Sequence, residues 1–203
     1  MLKHESREKE RVRQLYMTEE QCYLDGAKLV AGIDEAGRGP LAGPVVAGAV
    51  ILPPFFFLPN LNDSKLVSEK DREVLFQEIY KIAVAVGIGE VSVELIDRHN
   101  ILEATKMAMK RAIINLGVTP DFLLIDAVKL GDTAIPQKNI IRGDTISASI
   151  AAASIVAKVY RDKLMQGLSE QFPRYGFDQH KGYGTKKHLA ALAKYGPCPC
   201  HRK

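Results

Sequence analysis

Two short apolar runs, each ending at an aspartate, constrain the fold of this chain most. Val-Ala-Gly-Ile at 30–33 leads into Asp34, and Phe-Leu-Leu-Ile at 122–125 leads into Asp126. Short apolar runs bounded by polar or turn residues are typical of buried strands. If the two strands are neighbours in a sheet, their aspartates lie about 5 Å apart, which is one strand spacing.

The remaining patterns predict an α/β structure with a mixed sheet, because strands come first and then alternate with helices. Ser68 with Asp71 three residues later forms a capping box that begins a helix. Strand-like runs are predicted at 28–33, 45–52, 83–93, 122–125 and around Ile140 and Ile141, and helices at 5–25, from Ser68, at 95–116, 145–168 and 185–195.

Several classes of protein are disfavoured by composition. No apolar run approaches the roughly 18 residues of a membrane helix, and the N-terminus is charged without the apolar region of a secretory signal. Cys22, Cys198 and Cys200 are odd in number and unlike a disulfide framework. We therefore expect a cytoplasmic protein with reduced thiols. Cys198 and Cys200 lack a second pair, so we expect no metal site there.

The basic residues are concentrated near the C-terminus. Ten of the 28 Lys and Arg residues, but only three of the 24 Asp and Glu residues, lie from Lys158 to Lys203. This distribution is consistent with a surface that binds a polyanion. An ordinary solvated helix face explains it equally well.

The aspartates after the two strands predict a cation site. Two unpaired carboxylates that close repel each other, and a divalent cation between them removes that cost. Ligation by oxygen alone suits Mg²⁺ or Mn²⁺ rather than zinc. The alternative is that Asp34 and Asp126 are structural and cap turns.

Asp144 and Glu35 are further candidates. Asp144 precedes a helix and can act as its N-cap, and the small side chains of that helix let it approach the sheet closely. Glu35 follows Asp34 directly, so in a regular strand the two point to opposite faces. Both reach one site only if the chain bends, which Gly37 and Gly39 permit.

Five motifs in order resemble the ribonuclease HII family, over about residues 28–202. They are Gly-Ile-Asp-Glu-Ala-Gly-Arg-Gly-Pro-Leu-Ala-Gly-Pro-Val-Val at 32–46, Asn-Asp-Ser-Lys at 62–65, Leu-Ile-Asp at 124–126, Ala-Ala-Ala-Ser-Ile-Val-Ala-Lys-Val with Arg-Asp at 151–162, and His-Lys-Gly-Tyr-Gly-Thr at 180–185.

The resemblance implies a ribonuclease H-like fold, with a five-stranded mixed sheet flanked by helices. It implies endonucleolytic hydrolysis of the RNA strand of RNA–DNA hybrids and incision 5′ of ribonucleotides embedded in duplex DNA, leaving 5′-phosphate and 3′-hydroxyl ends. Two cations about 4 Å apart would activate a water and stabilise the departing oxygen. A catalytic domain at 28–203, acting as a monomer, would follow a charged helical extension at 1–27.

Residue roles follow from the same resemblance. Asp162 lies inside a motif but is not one of the four catalytic carboxylates of the family. The resemblance implies catalytic and metal-binding roles for Asp34, Glu35, Asp126 and Asp144, contacts to the ribonucleotide for Gly37, Arg38, Gly39 and Tyr183, and a backbone-phosphate contact for Lys65. Family members often continue past the position of Arg202 with helical sequence that grips the duplex, which leaves the affinity of this chain open.

Two alternatives stay open. Another nuclease on the same fold, such as ribonuclease HIII or a resolvase-like enzyme, is the nearest, although ribonuclease HIII usually carries a separate N-terminal domain and tends to lack the Arg of the Gly-Arg-Gly motif. The alternative from a different class is a non-catalytic hybrid-binding protein whose carboxylates are structural.

Overall fold

The computed structural model describes residues 2–131 and 133–203, and of residues 2–5 the backbone alone. Within these residues, one mixed sheet has five strands in the order β3-β2-β1-β4-β5. β1 and β3 are antiparallel to β2, whereas β4 runs parallel to β1 and β5 runs parallel to β4. The strands are β1 Val30–Ala36, β2 Val45–Ile51, β3 Ala85–Val91, β4 Phe122–Asp126 and β5 Gln137–Ile140.

Helices cover both faces of the sheet. A single-turn 3-10 helix, Gly143–Thr145, precedes the longest of them. The α-helices are α1 Leu2–Leu15, α2 Met17–Leu24, α3 Glu69–Ile82, α4 Val93–Ile114, α5 Ala148–Gln171, α6 Phe177–His180 and α7 Lys186–Tyr195. No helix in the described part of the chain combines the length and apolarity needed to cross a membrane.

The α5 helix lies directly on the sheet because glycines face small residues there. A Cβ atom at Gly32 in β1 would sit 2.0 Å from the carbonyl carbon of Ser149, and one at Gly48 in β2 would sit 2.6 Å from the Ala153 carbonyl oxygen. Any side chain at either position would push α5 away. The close approach predicted from the small side chains of this helix is confirmed, and it holds the start of α5 beside β1.

The N-terminal helical pattern is interrupted, contrary to the single helix predicted over 5–25. The break falls at Tyr16, between α1 and α2. Tyr16 packs with Val12 and Leu15 in a core cluster that also contains residues of α5. Glu19 is buried, and its Oε1 atom accepts hydrogen bonds from the Ser147 hydroxyl at 2.5 Å and from the backbone N–H and hydroxyl of Ser149 at 2.8 and 2.6 Å. Tertiary contacts with α5 thus accompany the break.

Two further helix boundaries differ from the sequence prediction. α4 is interrupted at Asn100, which has φ 69°, and the Asn100 side chain accepts hydrogen bonds from the two amides that restart the helix. The expectation that Asp144 caps α5 is wrong. Ser147 is the N-cap, because its hydroxyl accepts the Ile150 N–H at 3.2 Å, and Asp144 lies one turn earlier in the 3-10 helix.

The capping box at Ser68 is confirmed in part: the Ser68 hydroxyl accepts the backbone N–H of Asp71 but donates to the Asp71 carboxylate, which leaves out the reciprocal backbone bond.

Candidate active site

Four carboxylates come together where β1 and β4 end. The two strands are paired in parallel, with Ile33 opposite Ile125, so Asp34 and Asp126 leave the same edge of the sheet. The 3-10 helix brings Asp144 to this edge, and Glu35 follows Asp34 within β1. Asp34 and Asp144 are only 5% and 4% exposed. The local sequence explains part of this placement, because Asp34 and Asp126 each follow a run of buried apolar residues. Asp126 ends β4, whereas β1 continues for two residues beyond Asp34.

Asp34 and Glu35 are held in an environment that opposes their charge. Burial, followed by the neighbouring charges of Glu35 and Asp126, raises the pKa of Asp34 well above its ordinary value, although the backbone N–H of Glu35 donates to its Oδ1 atom at 2.7 Å. Burial also raises the pKa of Glu35, against the opposing effect of Arg38, whose Nη1 atom lies 3.3 Å from Oε1. The two adjacent carboxylates therefore influence each other's charge although both lie within β1, and the turn at Gly37 comes only after Glu35.

Asp126 and Asp144 are joined by the backbone of the 3-10 helix. The Gly143 N–H donates to Asp126 Oδ1 at 2.8 Å, which fixes that helix against the end of β4. Burial, followed by the charges of Asp63 and Asp126, raises the pKa of Asp144 to about 6. The Lys65 side chain lies beside these groups. Its Nζ atom is 3.8 Å from Asp144 Oδ2 and 3.9 Å from Asp63 Oδ1. Asp63, which was not among the predicted site residues, is therefore part of this acidic cluster.

The donor set fits divalent cations of the Mg²⁺ or Mn²⁺ type. Every ligand atom offered by the four carboxylates is oxygen. Glu35 Oε2 is buried and receives no hydrogen bond from any residue of the described ranges. A buried acceptor without a donor is costly, and a cation would compensate both this atom and the repulsion among the carboxylates.

The loop after β1 lies beside the predicted sugar-recognition tyrosine. Gly37 adopts φ +98°, the left-handed conformation that turns the chain out of the sheet. A Cβ atom at Gly39 would lie 3.6 Å from the Tyr183 ring, so the structure brings these two predicted substrate residues together. Arg38 is exposed and reaches back to Glu35, and Tyr183 is 46% exposed. Both side chains are accessible to a nucleic acid.

Two arginines that the sequence analysis did not single out hold this loop. Arg161 is almost fully buried and donates to the carbonyl groups of Ala42, Pro44 and Lys181. Arg202 donates to the carbonyl groups of Gly37 and Gly43 at 2.6 and 2.7 Å. Their positions in the Arg-Asp pair and in the C-terminal His-Arg-Lys were visible in the sequence. The carbonyl groups that they satisfy were not.

The basic C-terminal residues divide into an internal and an exposed set. Besides the two arginines, Lys158 pairs with Asp162 at 2.7 Å and Lys163 pairs with Glu73 at 3.1 Å. Asp162 therefore belongs to an ion pair and not to the carboxylate cluster. Lys163 is itself exposed, and Lys181 is half-buried with its Nζ atom 3.9 Å from Glu69. The other exposed basic residues are Arg174, Lys186, Lys187, Lys194 and Lys203.

A mixed sheet in this order, with carboxylates at the ends of two adjacent parallel strands, defines the class of ribonuclease H-like nucleases. The sequence model of the family described as Ribonuclease HII matches residues 31–203. Ribonuclease HII of Acetivibrio thermocellus is 54% identical over 201 residues, which are 99% of this chain and 78% of that protein. Ribonuclease HII of Chlamydia caviae is 59% identical over 186 residues, or 91% and 87%. The chain belongs to the ribonuclease HII family, whose members are endoribonuclease hydrolases.

Solved structures confirm the predicted fold. The ribonuclease HII of Archaeoglobus fulgidus, solved in complex with PCNA, is 27% identical with a TM-score of 0.72, over 86% of this chain and 94% of that chain. Bst-RNase HIII in complex with Mn²⁺ shares the fold alone, at 19% identity and a TM-score of 0.58, over 83% of this chain and 70% of that chain. The family match sets aside ribonuclease HIII as the identity of this chain.

Proposed function

We propose that this chain cleaves the RNA strand of RNA–DNA hybrids and incises 5′ of single ribonucleotides embedded in duplex DNA, leaving 5′-phosphate and 3′-hydroxyl ends. Membership of the ribonuclease HII family supports the endoribonuclease activity. The single observation that carries the mechanism is the convergence of Asp34, Glu35, Asp126 and Asp144 at one edge of the sheet, where burial and mutual repulsion oppose their charges.

The four carboxylates would hold two divalent cations, Mg²⁺ or Mn²⁺. When bound, such cations activate a water and stabilise charge on the departing 3′-oxygen. The chain itself fixes the oxygen ligands: the Glu35 N–H orients Asp34, and the Gly143 N–H orients Asp126. Lys65, which lies above Asp144 and is largely exposed, would contact a phosphate beside the scissile bond.

Recognition of the ribonucleotide would rest on Gly37, Arg38, Gly39 and Tyr183. The 2′-hydroxyl distinguishes RNA from DNA at a given position. Tyr183 offers an exposed ring and hydroxyl next to Gly39, where the absence of a side chain lets the sugar approach the backbone. We assign catalysis to residues 28–203. The extension at 1–27 would act as a brace, since Glu19 in α2 accepts hydrogen bonds at the start of α5.

The test compares three duplexes: all-DNA, DNA with one ribonucleotide, and a long RNA–DNA hybrid. We expect Mg²⁺-dependent cleavage of the last two, with incision 5′ of the single ribonucleotide, and no cleavage of the first. Chelation of the metal should stop the reaction. Equal cleavage of all three duplexes would contradict the proposed specificity. Binding to hybrid without cleavage in Mg²⁺ or Mn²⁺ would instead favour the hybrid-binding alternative.

A further inference from the structure

A second cluster of metal-ligating atoms lies near the C-terminus, apart from the carboxylates. The ligand atoms of Cys198, Cys200 and His201 all lie within 4.8 Å of one another. Cys200 and His201 are 8% and 7% exposed, and Cys198 is half-buried. The two cysteines lack a second pair, which in the sequence argues against a metal site. In the fold, His201, which immediately follows them, supplies a third ligand atom.

We propose that Cys198, Cys200 and His201 form a binding site for a thiophilic divalent cation, Zn²⁺. Two sulfurs and one imidazole nitrogen are the ligand types that zinc selects. The Sγ atoms are 3.1 Å apart, and Cys198 Sγ is 3.2 Å from His201 Nδ1. In tetrahedral zinc coordination such atoms sit about 3.5–3.8 Å apart. To reach that geometry the two Sγ atoms must separate by about 0.7 Å, and Cys198 Sγ and His201 Nδ1 by about 0.4 Å. Solvent would supply the fourth ligand.

A chain of hydrogen bonds fixes the histidine in the form that binds metal. The Tyr183 carbonyl oxygen can only accept, so His188 Nδ1, 2.9 Å away, must carry a proton. His201 Nδ1 lies 2.9 Å from the Cys198 backbone N–H, so it must be the unprotonated nitrogen of its ring. His201 Nε2 therefore carries the proton and donates it to His188 Nε2 at 3.0 Å.

The result is an imidazole whose unprotonated Nδ1 atom accepts the Cys198 N–H and whose other nitrogen is held by a buried partner. A cation would take the Nδ1 lone pair in place of that N–H. Ligating histidines in metal sites generally have this arrangement, in which an outer partner fixes the ring and its tautomer. The Cys198 carbonyl oxygen lies 3.2 Å from the same Nδ1 atom, but Nδ1 cannot donate to it while accepting the Cys198 N–H at the shorter distance of 2.9 Å. His188 acts here as a positioning residue and not as a ligand.

Occupation of this site would brace the loop after β1. The Cys200 carbonyl oxygen accepts the Gly43 N–H at 2.8 Å, and His201 pairs with Ala42 in an antiparallel bridge. The next residue, Arg202, donates to the Gly37 and Gly43 carbonyl groups. A cation that holds residues 198–201 together therefore stabilises the segment against which the Gly37–Gly43 loop rests.

The test is a Co²⁺ titration of the full chain, reduced and stripped of metal. Cobalt bound by thiolates in a tetrahedral site gives a near-ultraviolet charge-transfer band and intense visible bands, which carboxylate ligation does not produce. We expect a single equivalent to give these bands and Zn²⁺ to displace it. Cys198→Ser and Cys200→Ser should each lose the charge-transfer intensity or most of it. Cys22→Ser is the matched control, because Cys22 is buried elsewhere against β1 and should leave the titration unchanged.

His188→Leu provides a second readout, because it removes the acceptor for His201 without touching a ligand. Loss of such an outer partner typically weakens metal affinity by about 10- to 100-fold. Zn²⁺ should also raise the melting temperature of the wild-type chain and of Cys22→Ser by more than that of Cys198→Ser, in which only the carboxylates remain to bind it. Circular dichroism confirms that each variant is folded.

Three results would overturn the proposal: no charge-transfer band in the reduced wild-type chain, a band that persists in both Cys198→Ser and Cys200→Ser, or loss of both thiols to a Cys198–Cys200 disulfide that forms in preference to metal binding. Cleavage of hybrid in Mg²⁺ is measured separately. Failure of the thiol site therefore leaves the proposed nuclease site unaffected, and the reverse also holds.

Discussion

The acidic strand ends and the C-terminal quarter of the chain, residues 158–203, use charge in opposite ways. At the strand ends, Asp34 and Asp144 are buried beside other carboxylates. Positively charged side chains such as Lys65 balance these negative charges only in part. In the C-terminal quarter, Arg161 and Arg202 satisfy carbonyl groups of the loop after β1, and Lys158 pairs with Asp162. The negative charges of the first region are left for a bound cation to balance. Much of the positive charge of the second region is already bound to carbonyl groups and carboxylates of the protein.

This difference shows that the number of charges in a segment matters less than where they are directed. The ten basic residues of the C-terminal quarter suggest a surface that binds a polyanion. Half of them instead hold the loop after β1, pair with carboxylates or lie partly buried. The few acidic groups at the strand ends converge on one point.

The largest effect is expected from neutralising the strand-end aspartates. Asp34→Asn and Asp126→Asn keep an oxygen that can accept the Glu35 and Gly143 amides, so the fold should persist. Each should lower cleavage in Mg²⁺ by at least about 10²- to 10³-fold, the usual cost of removing one electrostatic contributor to catalysis. The metal-free melting temperature should stay equal or rise, because repulsion is relieved. Near-normal turnover of either variant would show that the site is misassigned.

The salt dependence of duplex binding tests the C-terminal quarter. Each phosphate neutralised contributes a log–log slope of about −0.9. Six of the basic residues in this quarter are exposed, and one of them, Lys163, pairs with Glu73. The other five should contribute no more than roughly −4.5, rather than the value for all ten. Binding is measured in Ca²⁺ to suppress cleavage, with the wild type compared with a Lys186→Gln, Lys187→Gln variant. A flat dependence, or an unchanged slope in the variant, would mean that this quarter does not face the duplex.

Substitution of Tyr183 tests whether the C-terminal quarter contacts the same substrate as the acidic strand ends. Stacking of a base or sugar on an aromatic ring is worth about 1–3 kcal/mol, so Tyr183→Ala should slow incision at a single ribonucleotide by about 5- to 150-fold. Its effect on melting temperature should be small, since the ring is 46% exposed and the backbone bonds of Tyr183 remain. Tyr183→Phe separates the contribution of the hydroxyl from that of the ring. An unchanged rate for Tyr183→Ala would make the tyrosine structural and leave recognition to the loop backbone.

The smallest effect is a pH dependence of stability. The pKa of Asp144 is raised to about 6 in the folded chain, so the folded state binds more protons than the unfolded state between the ordinary pKa near 4 and 6. Stability of the metal-free protein should therefore fall as pH rises through this window. Thermal unfolding between pH 4 and pH 7 measures it. Asp144→Asn should reduce the dependence without removing it, because the raised pKa values of Asp34 and Glu35 act in the same direction. A rise in stability over this range that Asp144→Asn abolishes would give the shift the opposite sign.

Local patterns were sufficient to predict the strands and the two strand-end aspartates. The runs before Asp34 and Asp126 are buried strands, and the alanines of α5 do let it contact Gly32. Periodicity and turn residues record such features directly.

Features that depend on distant partners were missed. The break at Tyr16 and the bracing by Arg202 arise from contacts across the fold. The N-cap bond of Ser147 is local, but its hydroxyl also donates to the distant Glu19. The thiol–histidine cluster shows the same limit, since His188 enters it from α7, 13 residues before His201. A sequence motif identifies the residues but not the atoms that they satisfy.

A sulfur substitution tests most directly whether the carboxylates bind cations that contact the phosphate. One non-bridging oxygen of the scissile phosphate in a single-ribonucleotide duplex is replaced by sulfur, and cleavage is measured in Mg²⁺ and in Mn²⁺. We predict that the substitution slows the Mg²⁺ reaction strongly for one stereoisomer, that Mn²⁺ restores the rate, and that Asp126→Asn abolishes this rescue. Equal rates for oxygen and sulfur substrates in Mg²⁺, or a rescue that survives in Asp126→Asn, would contradict the claim.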